Sequence, residues 1–193
     1  MSKYDKENRL LSYLGEILDF NRKVNIVSRE TTSSDLQKIA ADCLIPFEFT
    51  GPPSGRIFDI GSGAGFPGII LLLAFPSLEA ALFERTSKKA RFLENIVRNY
   101  ILKAEVINAD FVEKAGSFPH SSFDSGFMKY VKMEPRILKS VGHLLKDNGQ
   151  FVHYSSLAKH IFSKTESFQL VEYQYRLDLE EPLRTISVFS KNS

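Results

Sequence analysis

Apolar positions recur along this chain in two rhythms. Between residues 7 and 22, Leu10, Leu11, Leu14, Ile17 and Leu18 fall on one side of a 3.6-residue turn, the stripe of an amphipathic helix that must lie on a neighbour. A second helix carries Leu36, Ile39, Ala40, Cys43 and Leu44, with Ser34 and Asp35 as its predicted cap and Pro46 beyond its end. From residue 56 the rhythm changes to short strand candidates rich in apolar residues at 56–60, 80–84, 104–108, 123–128 and 150–154. Helical stretches at 67–75, 87–100 and 133–146 separate them, the last stopped by Asp147-Asn148-Gly149. Alternation of this kind predicts an α/β fold with a doubly wound, mostly parallel sheet. After Tyr154 it fails: a short helix near 157–163 is followed by strands at 168–176 and 184–190 around an acidic turn with Pro182. Two strands with no crossover helix between them predict an antiparallel hairpin closing one sheet edge.

Gly51-Pro-Pro-Ser-Gly55 separates the N-terminal helices from the first strand. We read it as a junction inside a single domain over 1–193, with 1–50 as a helical extension and 56–193 as the sheet, because some 50 residues with two amphipathic helices bury too little surface alone. The lone cysteine, Cys43, allows no internal disulfide and no cysteine-based zinc site, which fits a reducing cytoplasm. The four histidines show no metal spacing, so no metal is expected. No apolar run approaches the roughly 18 residues of a membrane helix, and the reading is of an untargeted, cytoplasmic protein, expected as a monomer and with no membrane partner.

Chemistry concentrates at residues 56–68, where an apolar strand runs into Gly61, Gly63, Gly65 and Gly68 and then into a helix that Pro67 can start. Glycine admits positive φ and lets a ligand reach bare backbone, while the helix start offers unpaired N–H groups. From Gly63 the spacing satisfies G-x-G-x-x-G, weak evidence for a dinucleotide site. Three successive strands, however, each end in a carboxylate: Asp59, Glu84 and Asp110. That ring would repel a pyrophosphate but would hold a ligand with an ammonium group, a ribose diol and an adenine, such as S-adenosylmethionine. Asp59 is assigned to the methionine amino group, with capping of the glycine turn as the plainer role. Glu84 is assigned to the ribose hydroxyls. Asp110 either caps a short helix at 111–115 or lies by the adenine, and Phe111 either stacks on that base or is core, the commoner fate of an apolar residue. Gly61, Ser62, Gly63, Gly65, Phe66, Arg85 and Lys129 complete the expected cofactor contacts.

Asp59-Ile-Gly-Ser-Gly-Ala-Gly-Phe-Pro-Gly68 resembles the first motif of the class I methyltransferases, and its Phe-Pro-Gly ending that of the glucose-inhibited division protein B family in particular. Tyr13-Leu14 through Phe20-Asn21 to Asn25-Ile-Val-Ser28 resembles the same family's Trp-Asn…Asn-Leu-Thr-Ser signature, with Phe20 in place of tryptophan. Glu84-Arg-Thr-Ser-Lys88-Lys89-Ala-Arg91-Phe92-Leu93 resembles its Asp-Ser…Lys-Arg…Arg-Phe-Leu helix start. The resemblance implies a seven-stranded Rossmann-like sheet, S-adenosylmethionine as cofactor, and small-subunit ribosomal RNA or the subunit itself as partner, with 7-methylguanosine as product. Methyl transfer to such a ring nitrogen needs alignment and no prior proton removal.

The net charge of +2 is too small to argue for nucleic acid, but its distribution is uneven. Arg85, Lys88, Lys89, Arg91, Arg98 and Lys103 face Glu94 alone, and Lys129, Lys132, Arg136, Lys139 and Lys146 face Glu134. Basic runs are commonly solvated helix faces, yet both begin at strand ends beside the expected cofactor. Lys88, Lys89 and Arg91 are therefore expected at the RNA, with Tyr130, Tyr154 and Ser155 beside the acceptor base and Lys129 at the catalytic centre. These substrate-side positions depart from the family: its histidine on the second helix is Ile39, its Ser-Arg-Ala after the fourth strand is Met128-Lys129-Tyr130, and its Leu-Lys-Gly after the fifth is Tyr154-Ser155-Ser156. Two other readings stay open at this stage, a cofactor-binding module that no longer transfers methyl groups and a nucleotide-dependent oxidoreductase.

Overall fold

The computed structural model describes Tyr4, residues 8–156 and residues 167–193. The helix predicted near 157–163 falls outside the described residues. Seven strands form one sheet in the order β3-β2-β1-β4-β5-β7-β6: β1 (Arg56–Ile60), β2 (Glu79–Phe83), β3 (Ala104–Ile107), β4 (Phe123–Met128), β5 (Leu145–His153), β6 (Phe168–Tyr175) and β7 (Arg184–Lys191). The first five pair in parallel, whereas β7 runs antiparallel to both β5 and β6. The expected doubly wound sheet with its antiparallel edge is thus present. Chain order reverses between β1 and β4, and at that switch point the connections leave in opposite directions and open a crevice beyond the strand ends.

Side chains alternate across a strand, so β1 feeds two cores. Ile57 joins the layer of α1 (Arg9–Asn21), α2 (Ser33–Leu44), α4 (Gly68–Ala74) and α5 (Ser87–Asn99). Phe58 and Ile60 join the opposite layer with α6 (Phe111–Ala115) and α7 (Pro135–Leu144), where Phe58 stacks on Phe111 at 5.7 Å and on Phe151 at 6.2 Å. A one-turn helix, α3 (Phe47–Thr50), precedes the Gly51–Gly55 junction. The helical extension packs into the first layer: Leu10, Tyr13, Leu14 and Ile17 of α1 and Leu36, Ala40 and Cys43 of α2 are buried in the same cluster as Ile57 and Ile69.

Two boundaries differ from expectation. Helix α2 is capped by Thr32, with Asp35 as its partner and Ser34 uninvolved: the Thr32 hydroxyl accepts from Asp35 N–H (3.2 Å) and Asp35 Oδ2 accepts from Thr32 N–H (2.9 Å), a reciprocal capping box that starts two residues earlier than the sequence suggested. Helix α7 ends at Leu144, and Asp147-Asn148-Gly149 lies inside β5 instead of stopping the helix. There Phe123 pairs with Leu145 and Ser125 with Gln150, so residues 146–149 bow out opposite Asp124. Asp124 holds the bow by accepting from Lys146 Nζ (2.7 Å) and from Arg56 N–H (2.8 Å).

Candidate active site

A cleft of about 650 Å³ opens at the switch point, lined by the turn after β1, the ends of β2 and β4, the start of α6 and the loop after α1. Its floor is the glycine turn. Gly61 and Gly63 stand at φ 70° and 60°, the left-handed region that a side chain disfavours. A Cβ on Gly61 would lie 2.5 Å from Val131 Cγ2, so the loop after β4 closes directly onto this turn. Glu84, at the tip of β2, is 6% exposed and ties the turn together. Gly63 N–H donates to its Oε2 at 2.9 Å and Thr86 N–H to its Oε1 at 2.6 Å. Each carboxylate oxygen has a further lone pair, so Glu84 can still accept from a diol in the cleft. Asn108 Nδ2 donates to the Glu84 carbonyl (2.9 Å) and fixes the strand tip.

Of the expected cofactor residues, Gly61, Ser62, Gly63, Phe66, Glu84 and Arg85 line this cleft, together with Asp110, Phe111 and Lys129. Asp59 does not. Its side chain shares the face of Ile57, behind the turn, where Oδ2 accepts from Gly68 N–H (3.0 Å) and Oδ1 is buried without a partner among the described residues. Burial, with the charge of Glu84 adding, pushes its carboxyl up to about 7 against the pull of hydrogen bonds from Ser62 and Gly68. Asp59 thus sits where its carboxyl accepts from the first amide of α4 instead of facing the cleft. Gly65 also stands outside the cleft. Its bare Cα makes room for Tyr13, whose fully buried hydroxyl donates to the Ala64 carbonyl and pins α1 to the turn. Asp110 accepts from Val112 N–H (2.9 Å) and caps α6 while lining the cleft, and Phe111 is both wall and core, edge-on to Phe83 at 5.1 Å.

The acceptor side requires larger corrections. Lys129 is 3% exposed, and its Nζ is ion-paired with Asp42 of α2. Its charge is thus consumed inside the protein and does not reach a phosphate. Asp42 also accepts from Tyr175 Oη and from Arg184 Nη1 (3.0 Å), so one buried carboxylate joins α2, the end of β4 and the β6–β7 hairpin. The Lys129 ammonium lies 4.5 Å from the Tyr154 ring centroid, and Tyr154 Oη donates to the Cys43 carbonyl (2.7 Å). Tyr154 is therefore part of the joint and not a platform for a base, and Ser155, though exposed, does not line the cleft. On α5, Lys89 and the preceding Arg85 reach the cleft, whereas Lys88 and Arg91 lie on the exposed outer face.

Sequence reasoning missed two contributions. Asp42 sits 87 residues from Lys129 and 142 from Arg184, and no local pattern marks such a pairing. The wall made by Ile26, Val27 and Ser28 was announced only by the Phe20–Ser28 signature, whose physical content is now visible. Asn21 is buried, its Oδ1 accepts from Ile26 N–H (2.8 Å) and Val27 N–H (3.1 Å), and its Nδ2 donates to the Ser28 carbonyl (3.1 Å). Among the described residues no group of three His, Cys, Asp or Glu side chains is gathered as a metal site, and no helix is long and apolar enough to cross a membrane.

A solved structure from Thermotoga maritima described as a SAM-dependent O-methyltransferase shares the fold, with a TM-score of 0.60 and 15% identity over 94% of this chain and 71% of that one. A protein of Agrobacterium tumefaciens described as a predicted O-methyltransferase superposes with a TM-score of 0.65 at 20% identity, covering 79% and 81% of the two chains. By sequence, the chain is 31% identical over 160 residues to ribosomal RNA small subunit methyltransferase G 3 of Bdellovibrio bacteriovorus, a match that covers 79% of this chain and 69% of that protein. The family described as rRNA small subunit methyltransferase G matches residues 6–176, and the chain belongs to that family.

Proposed function

We propose that the protein transfers a methyl group from S-adenosylmethionine to a guanine ring nitrogen of small-subunit ribosomal RNA, forming 7-methylguanosine. The observation that carries this reading is Glu84, a carboxylate that joins the Gly63 amide of the glycine turn to the Thr86 amide after β2, at the floor of a cleft whose rim carries Arg85, Lys89 and Lys132. Bound there, S-adenosylmethionine supplies an activated methyl group on a sulfonium. Glu84 would accept from its ribose hydroxyls, the open backbone at Gly61 and Gly63 would admit its methionine end, and Phe111 would wall the adenine. A ring nitrogen attacks with its own lone pair, and the new N–C bond forms as the C–S bond breaks toward sulfur, so the protein has only to align the partners. That fits a cleft in which Lys129 is bound to a carboxylate and whose lining, among the described residues, contains no histidine. The rim cations suit phosphates: among the described residues Arg85, Lys89 and Lys132 make no ion pair, whereas the neighbouring Arg136 is held by Glu134 at 2.7 Å.

The reading extends to a cytoplasmic monomer in which the N-terminal helices belong to the same folding unit as the sheet, supported by the Tyr13 bond to the glycine turn. Its test is tritiated methyl transfer into purified small subunits and into naked small-subunit RNA, followed by digestion to nucleosides. Label recovered as 7-methylguanosine is expected. Binding of S-adenosylhomocysteine without any transfer to either substrate would overturn the enzyme reading in favour of a cofactor-binding module.

A further inference from the structure

We propose that Tyr130 is the stacking platform for the acceptor base and that the buried Lys129–Asp42 pair positions it. The inference rests on the reading that the cleft acts on RNA. Four aromatic rings line the cleft, and three of them are committed elsewhere: Phe66, Phe83 and Phe111 are 7%, 1% and 5% exposed and packed in the two cores. Tyr130 is 75% exposed. A large ring left open to water at the mouth of a site has apolar surface to bury against a flat partner, and nucleobases stack on such rings whatever their sequence.

Its placement is built rather than accidental. Tyr130 is held at φ 58°, a conformation that a bulky residue adopts only when its neighbours impose it. On one side Lys129 is anchored to Asp42, with its ammonium 4.7 Å from the centroid of the Tyr130 ring, so one ring face is turned to a fixed cation. On the other side Val131 lies against Gly61 of the glycine turn. The left-handed residue between these two fixed points is what turns the ring out beside the place where the cofactor's reactive end would lie. Tyr154, the other ring on the Lys129 ammonium, is hydrogen-bonded to α2 and cannot take the same role.

The test compares Tyr130→Ala, Tyr130→Phe and Tyr130→Trp with the parent, measuring kcat/KM for methyl transfer into small-subunit RNA and the Kd of S-adenosylhomocysteine. Loss of a base–aromatic stack should lower kcat/KM about 5- to 150-fold in Tyr130→Ala, while Tyr130→Phe and Tyr130→Trp stay within about threefold of the parent and cofactor Kd is unchanged in all three. Asp42→Asn, which weakens the anchor but keeps its shape, should lower kcat/KM in the parent and have little further effect in Tyr130→Ala. Parent-like kcat/KM in Tyr130→Ala, or a cofactor Kd that worsens as much as kcat/KM does, overturns the proposal and leaves the methyltransferase reading standing. A parent that neither binds nor methylates small-subunit RNA overturns both.

Discussion

Along the β1–β2 side of the cleft the polar groups are backbone amides gathered by one carboxylate, Glu84, whereas along the β4 side they are side chains paired across long stretches of chain, Lys129 with Asp42 and Asp42 with Arg184. The first arrangement depends on where glycines stand and tolerates little else. The second depends on which side chains meet after folding. The difference matches the sequence reading, in which the resemblance is strong over the glycine turn and breaks at Lys129. A backbone cradle is constrained by φ at Gly61, Gly63 and Gly65, and a buried ion pair can be replaced as a unit by another combination of similar volume.

The largest expected effect is on the β4 side. Asp42→Ala would strand the Lys129 ammonium in a site that is 3% exposed, which should cost about 3–5 kcal/mol in urea unfolding. A loss below about 1 kcal/mol would mean that the joint does not carry its cation as described. On the β1–β2 side, Asp59 should make stability depend on pH. An unfolded aspartate titrates near ~3.9, whereas Asp59 titrates at about 7, so between these values the folded form keeps a proton that the unfolded form has released. Stability should therefore fall as pH rises from about 4 to about 7 and level off above it. Asp59→Asn keeps an acceptor for Gly68 N–H and removes the titration, so that window should flatten; an unaltered slope in the variant would assign the titration to another group.

The same contrast governs what the sequence could reveal. Strand and helix order was legible because short, mostly apolar runs such as Ile57, Phe58 and Ile60 in β1 and Ala80 to Phe83 in β2 stand where both sheet faces are covered. The glycine turn was legible because its φ values restrict residue type. Asp59 was misjudged because a carboxylate at a strand end reads alike whether it faces ligand or helix, and only the period of β1 places it with Ile57. The pairing of Lys129 was not legible because a basic residue in a basic segment gives no sign of a partner on α2. Tyr154 followed it into the same joint. The bow at residues 146–149 was read as a helix stop because Asp-Asn-Gly suits either turn, and the pairing of β4 with β5 decides between them.

A smaller effect is expected on the rim. Lys88→Ala/Lys89→Ala should flatten the dependence of log RNA affinity on log salt, by about one unit if Lys89 alone meets phosphate and by up to ~2 if the RNA wraps onto the outer face of α5. A slope equal to the parent's would make both lysines a solvated face.

The most direct test of the division between the two sides is calorimetric titration of S-adenosylhomocysteine into the parent, Glu84→Ala and Tyr130→Ala. The parent should bind, and Tyr130→Ala should bind equally well. Glu84→Ala should lose about 1–3 kcal/mol, the worth of charge-assisted hydrogen bonds to a diol. Affinity unchanged in Glu84→Ala, or lost equally in both variants, would contradict that division.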